Sequence, residues 1–266
     1  MTGEPSAGSH RRQHGPVQNV VFQRCARCAR ASPSIHAMPP SSKQPAPAPA
    51  RAGPRRKAKA GSEASESTRL TVLAAALREF ADKGLAGARV DEIAQQAGVN
   101  QQAIYYHFGS KDELFRATLE HGYSRIARAN QALADSVADL APLEAMTALI
   151  RKFFDRIATN RDMVAIILDE NRYGGVHLTN GALIRTATQP LLDAASKILG
   201  EGAARGEFAA NIDIEQFYMD LVSQCMFYFS NAFTLSALLG KTLASSANQR
   251  RREDHLVEML LRSLRP

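Results

Sequence analysis

The sequence predicts an all-α protein, and three observations lead there. From Ser67 onward, apolar residues recur every three or four positions in one segment after another. Between those segments stand residues that start or stop helices: Gly84, Gly98, Gly109, Ser110, Pro142, Gly174, Gly175 and Asp213. No segment carries a strand signal of any weight. At 266 residues, 45% of them hydrophobic, the chain is long enough for one large domain or two modest ones.

The N-terminal part reads differently. Residues 1–65 are rich in Pro, Ser, Ala, Gly and Arg, and the stretch from Met38 to Ala60 has no apolar periodicity with which to build a core. A disordered tail is expected there, and a true start at Met38 is an alternative. The net charge of +7 is unevenly placed: residues 1–66 hold 11 Lys/Arg against 3 Asp/Glu, and residues 67–266 hold 22 against 23. The basic balance therefore belongs to the tail and says nothing about what the folded part binds. The cluster Arg55-Arg56-Lys57-Ala58-Lys59 suits either an arm that touches phosphates or a solvated stretch, and charge runs favour the second. Cys25 and Cys28 have CxxC spacing, but a structural zinc needs four ligands. Only His14 and His36 lie near, so incidental thiols and no metal are expected. Cys225 falls on an apolar helical stripe and reads as core. No run of about 18 apolar residues and no secretory signal is present, which predicts a cytoplasmic protein without a membrane partner.

A first helix is expected over 67–83, with Leu70, Leu73, Leu77 and Phe80 on one face and Gly84 as its stop. A second is expected over 90–97, with Ile93 and Ala97 inward, Ala94 small enough for a close crossing, and Gly98 supplying a positive φ. A third covers 101–108, with Ile104 and Phe108 inward. The spacing of Ala94, Gly98 and Ile104 is that of a helix-turn-helix. Ser110 with Glu113 reads as a capping box that starts a fresh helix. The third helix is thus held to eight residues, about 12 Å, short enough to lie in a major groove.

The stretch AGVNQQAIYYHFGSKDELF resembles the signature of TetR-type transcriptional regulators, densely over residues 70–119 and more loosely through the helical remainder. The resemblance implies a helix-turn-helix DNA-binding domain over 66–112, followed over 113–266 by a helical domain for effector binding and dimerisation. It implies that Tyr105 and Lys111 contact phosphates and that Gln101, Gln102, Ala103 and Tyr106 face bases. A Gln side chain has the donor and acceptor that adenine requires, and His107 can donate to a phosphate or base edge. One position departs from the pattern. The family usually caps the second helix with Thr or Ser, and here Arg89 stands before Val90, unable to cap in the same way but able to reach a phosphate.

Beyond Ser110 the expected helices are 111–138, one beginning at Pro142, one from Asn160 to the Gly174-Gly175 stop, 179–205 with a kink at Pro190, 213–233 and 249–264. By resemblance the last two form a dimer bundle, for which Phe217, Leu221, Leu256 and Leu260 are the candidates, with intrachain core as the competing reading. A small-molecule pocket is expected among Phe153, Ile157, Ile166, Glu170, Tyr173, His177, Tyr228 and Asn231, a few polar groups among apolar walls. No cofactor is implied.

The functional expectation is a dimeric repressor released from a near-palindromic operator by a small molecule, with an activator or effector-free regulator as the alternative. An enzyme is disfavoured, since no phosphate loop, nucleophile elbow or HExxH is present. A non-specific DNA coater driven by the tail would lose all binding with residues 1–60 removed.

Overall fold

The computed structural model describes residues 55–178 and 181–266, with side chains from residue 65. The tail expectations, the Cys25/Cys28 pair and the Met38 start lie outside these residues. Ten helices and no strand are present among the described residues. They are α1 (Arg55–Gly87), α2 (Val90–Ala97), α3 (Gln101–Phe108), α4 (Lys111–Val137), α5 (Pro142–Thr159), α6 (Arg161–Arg172), α7 (Ala182–Ala204), α8 (Ile214–Ser230), α9 (Ala232–Leu239) and α10 (Ser246–Ser263).

Most boundaries fall where the punctuation placed them, with two differences. The helical backbone of α1 starts at Arg55 and takes in the basic cluster that reads as tail. The helix expected over 213–233 divides, because Asn231 leaves helical geometry between α8 and α9. The Asp213 carboxylate caps α8 by accepting from Glu215 N–H at 2.8 Å and Gln216 N–H at 3.3 Å.

Two apolar cores hold the helices. The first lies under α1, α2 and α3 and combines Val72, Leu73, Phe80, Ile93, Ile104 and Phe108 with Leu114, Phe115 and Leu119 of α4. Phe80 and Phe115 meet edge to face, centroids 5.0 Å apart, and lock α1 onto α4. Met163 and Ile166 of α6 belong to this same core. A helix between α5 and α7 in sequence is therefore packed against α1–α3. The second core joins α5, α7, α8, α10 and the end of α4 through Met146, Leu149, Phe154, Leu191, Leu221, Cys225, Leu256 and Leu260. The long α4 runs through both cores and packs along α7.

Candidate nucleic-acid interface

The head is a three-helix unit whose third helix stands outward. Gly98 ends α2 at φ 67°, and the Val99 N–H returns to the Ala94 carbonyl at 3.0 Å, which closes the turn. Asn100 opens α3, its side chain accepting from the Ala103 N–H at 2.7 Å. Ile104 and Phe108 anchor α3 in the core. The opposite face presents Gln101, Gln102, Tyr105, Tyr106 and His107 to solvent, with Ala103 half-buried beside them. Tyr106 is 86% exposed, an unusual position for a large aromatic ring. His107 lies edge-on to it, centroids 5.3 Å apart.

Two residues expected near phosphate are engaged within the chain. Arg89 has its guanidinium on Asp91, Nε to Oδ1 at 3.1 Å and Nη2 to Oδ2 at 2.7 Å. That hydrogen bond raises the arginine pKa and lowers that of Asp91. The pair is exposed, so it holds the side chain weakly. Lys111 donates its ammonium to the carbonyls of Ala86 at 3.3 Å and Ala88 at 3.2 Å. The sequence places a cation at the start of α4, where the helix dipole opposes it; the fold places that cation against carbonyls in the last residues of the first helix and just beyond it.

The side chain of Arg89 does not cap α2, but its backbone N–H has a distant partner that periodicity could not reveal. Glu79, 3% exposed on α1, accepts from the Arg89 N–H at 3.4 Å and Gln96 Nε2 at 3.1 Å, and pairs with Lys83 Nζ at 2.9 Å. Burial alone would raise its pKa, but the hydrogen bonds from Lys83 and Arg89 outweigh burial and hold the carboxyl below its ordinary value. Lys83 also bonds Glu92 of α2, and its own pKa is raised by those two carboxylates. At the start of α4 only half of the expected capping box forms. Ser110 Oγ accepts from the Glu113 N–H at 3.1 Å, while the Glu113 carboxylate turns to Arg116.

Consecutive carboxylates at the end of α6 bind the head and the segment after α6. Asp169 Oδ2 accepts from the Leu85 N–H at 2.7 Å, beside Gly84, whose φ of 68° breaks α1. Any Cβ on Gly84 would come within 3.3 Å of that Asp169 oxygen. Glu170 accepts from the N–H groups of His177 at 2.8 Å and Leu178 at 3.2 Å, and its Oε2 lies 2.7 Å from His177 Nδ1. The other ring nitrogen of His177 is 3.7 Å from Asp112 at the start of α4, and the ring meets Phe115 edge-on.

The eight residues expected to share a pocket do not come together. Glu170, Tyr173 and His177 belong to this junction, and Ile166 is fully buried in the head core. Phe153 and Tyr228 lie in the body core, Tyr228 donating its hydroxyl to the Leu243 carbonyl at 2.7 Å. Asn231 stands between α8 and α9 and donates to the Phe227 carbonyl at 3.1 Å. Of the eight, only Ile157 lines a cavity of about 560 Å³ that lies between α1, α4, α5, α6 and α8. Leu77, Gly122, Ile126, Arg156, Met163, Ile167 and Met226 also line it. Gly122 permits the approach of α6, since a Cβ there would lie 2.3 Å from Met163 Sδ.

The four dimer candidates are likewise turned inward. Phe217, Leu221, Leu256 and Leu260 are at most 5% exposed within the single chain, because the apolar stripes of α8 and α10 close the body core. The outer face instead exposes Met219, Phe227, Phe233, Leu238 and Leu239. Among the described residues, no group of His, Cys, Asp or Glu is placed to hold a metal, and no helix is long and apolar enough to cross a membrane.

Comparison with known proteins agrees with this architecture. Residues 72–118 match the family described as "Bacterial regulatory proteins, tetR family", and residues 142–260 match "Tetracyclin repressor-like, C-terminal domain". The chain is 31% identical over 210 residues to the HTH-type transcriptional repressor NicS of Pseudomonas putida, covering 79% of this chain and 98% of that one. It is 30% identical over 155 residues to the HTH-type transcriptional repressor KstR2 of Mycolicibacterium smegmatis, covering 58% and 73%. The fold is shared with the ketosteroid transcriptional regulator KstR2 of Mycobacterium tuberculosis, at a TM-score of 0.56, 21% identity, and coverage of 74% and 95%. It is also shared with FadR from Bacillus subtilis in complex with stearoyl-CoA, at a TM-score of 0.53, 18% identity, and coverage of 73% and 98%. The outward α3, the capped turn that presents it and the helical body behind it are thus those of a known class, and the chain belongs to the TetR family as a DNA-binding transcriptional repressor.

Proposed function

We infer that the protein acts as a dimer on a near-palindromic operator and leaves it when a small molecule enters the cavity between α1, α4, α5, α6 and α8. One observation carries this reading: the cavity is walled by the elements that hold the head. Leu77 of α1 and Met163 of α6 line it, and α6 ends in the carboxylates that bind Leu85 and His177. A ligand that shifts α6 or α4 therefore acts on the reading head without an intermediary. A difference in ligand affinity of a few kcal/mol between two head positions is enough to change occupancy.

In this reading Gln101, Gln102 and Tyr106 meet base edges, with Ala103 close to the groove floor. Tyr105 and His107 reach phosphates. Arg89 joins them by exchanging Asp91 for a phosphate, and Lys111 contributes by holding the end of the first helix. The second copy docks on the outer face of α8, where Met219 and Phe227 lie two turns apart, and on α9, where Phe233 is 91% exposed. A twofold dimer sets the two α3 helices about one DNA turn apart, roughly 34–36 Å.

Footprinting on the promoter regions beside the gene, repeated with candidate metabolites, tests the reading. A protected inverted repeat that is released by one metabolite is the expected result. Protection without symmetry would remove the dimer, and protection that no metabolite relieves would leave a repressor without effector.

A further inference from the structure

We propose that the cavity takes a small organic acid, its carboxylate held by Arg156 and its apolar body lying against Leu77, Ile126, Ile167 and Met226. The inference rests on the effector reading of that cavity and names the chemistry of what enters it.

Arg156 reaches the cavity from the last turns of α5. Its Nη1 donates to Asn130 Oδ1, and the Asn130 amide is itself fixed by donating to the Ala187 carbonyl at 2.6 Å. The guanidinium carbon lies 4.5 Å from the centroid of the Phe153 ring. These contacts set the position of the group without neutralising it. Among the described residues no carboxylate forms an ion pair with Arg156, and its buried Nε has no hydrogen-bond partner. Desolvation lowers its pKa from the ordinary arginine value, yet a guanidinium stays charged in proteins. A partly buried positive charge without a counter-charge is unfavourable, and such charges are normally paired.

The surroundings carry the same sign. Arg125 and Arg161 also line the cavity, and Asp162 is the one acidic residue among its lining. Arg161 is partly engaged, its Nε donating to the Ala158 carbonyl at 3.2 Å. The rest of the wall is mostly aliphatic. A carboxylate fits the arginine fork, and a short apolar body fits a volume of about 560 Å³, within the range of small-molecule sites. A neutral ligand would leave the arginine as it stands.

The test uses the full chain and paired probes: benzoate, phenylacetate, hexanoate and decanoate, each against its neutral amide, by thermal shift and titration calorimetry. At least one acid raises Tm while its amide does not. Arg156→Gln weakens that acid about tenfold or more, and Arg156→Lys keeps part of the affinity. Should Arg156→Gln fail to fold, Ile126→Trp fills the cavity with the arginine intact and removes binding. No response to any acid, an equal response to the amides, or binding that survives Ile126→Trp overturns the proposal. Operator affinity is read separately. A neutral compound that binds the cavity and releases DNA overturns the acid proposal and leaves the effector reading standing. An acid that binds through Arg156 without changing operator affinity upholds the site and removes the effector reading.

Discussion

The Asp169 carboxylate accepts the Leu85 N–H at 2.7 Å, a bond between residues 84 positions apart that joins the last turn of α6 to the break in α1. It is buried, and Leu85 is itself 5% exposed. Asp169→Ala leaves that amide without a partner, and a loss of about 1–3 kcal/mol of stability is expected from urea unfolding. Asp169→Asn keeps an acceptor at the same place and should lose less. If Asp169→Ala also changes the ratio of operator affinities with and without effector, the bond carries the signal as well as the fold.

The α3 face should separate affinity from discrimination. Gln101→Ala and Tyr106→Ala remove exposed side chains, so thermal stability stays within about 0.5 kcal/mol of wild type. The affinity gap between operator and random DNA narrows in both variants, by about 1–3 kcal/mol where the lost contact is to a base edge. Competition titrations read the gap directly. Unchanged discrimination in both would move the reading face elsewhere on α3.

Lys111 poses a sharper choice. If it serves the Ala86 and Ala88 carbonyls, Lys111→Met destabilises the head by roughly 0.5–1.5 kcal/mol and leaves the salt dependence of DNA binding unchanged. If it meets phosphate, stability is kept and the slope of log affinity against log salt falls by about one unit. Measuring both on one variant decides between the two.

The exposed apolar face of α8 and α9 predicts an assembly. Phe227→Glu with Phe233→Glu introduces two carboxylates where the second copy would dock. Sedimentation should then show monomers that fold with the wild-type helix content, and operator affinity should fall by about a hundredfold or more through lost avidity. A double variant that stays dimeric would place the interface on another face.

Cys225 gives a pH and reactivity signature. It is fully buried in the body core, and burial pushes its thiol up to about 12. The native thiol should resist alkylation at pH 8 and react once the chain unfolds, as mass mapping of the labelled residue would show. Because the folded chain holds the proton more tightly than the unfolded one, this group's contribution to stability is intact below the ordinary thiol value of 9.0. It is lost progressively as pH rises from there toward 12. Cys225→Ala should flatten that alkaline decline.

Much of the fold was legible because helix punctuation is local. Gly98, Asn100, Ser110 and Asp213 act on groups within a few residues, and each sits where the chain turns or caps. The outward face of α3 was legible for the same reason, since Ile104 and Phe108 fix which side is in. What the sequence concealed depends on distant partners. Glu79 accepts the Arg89 N–H from another helix, Lys111 finds carbonyls 23 and 25 residues away, and Glu170 closes on His177 instead of facing a pocket. The stripes of α8 and α10 told of burial but not of which burial, because one period serves a core and an interface equally. Asp169 left one trace: a carboxylate three positions after Ile166, on the inward side of an apolar stripe.

The grip of α6 on the head also bears on how such proteins can be recombined. Asp169 holds a backbone amide, which every residue but proline supplies, so a head of different sequence and the same backbone path can occupy that place. The contact from His177 is of another kind, since it faces the side chain of Asp112. A grafted head should therefore seat on this body if it keeps the break at Gly84, Asp112 and the apolar positions that pack against Met163 and Ile166. Exchanging operator specificity then becomes a matter of α3, with the rest of the chain left untouched.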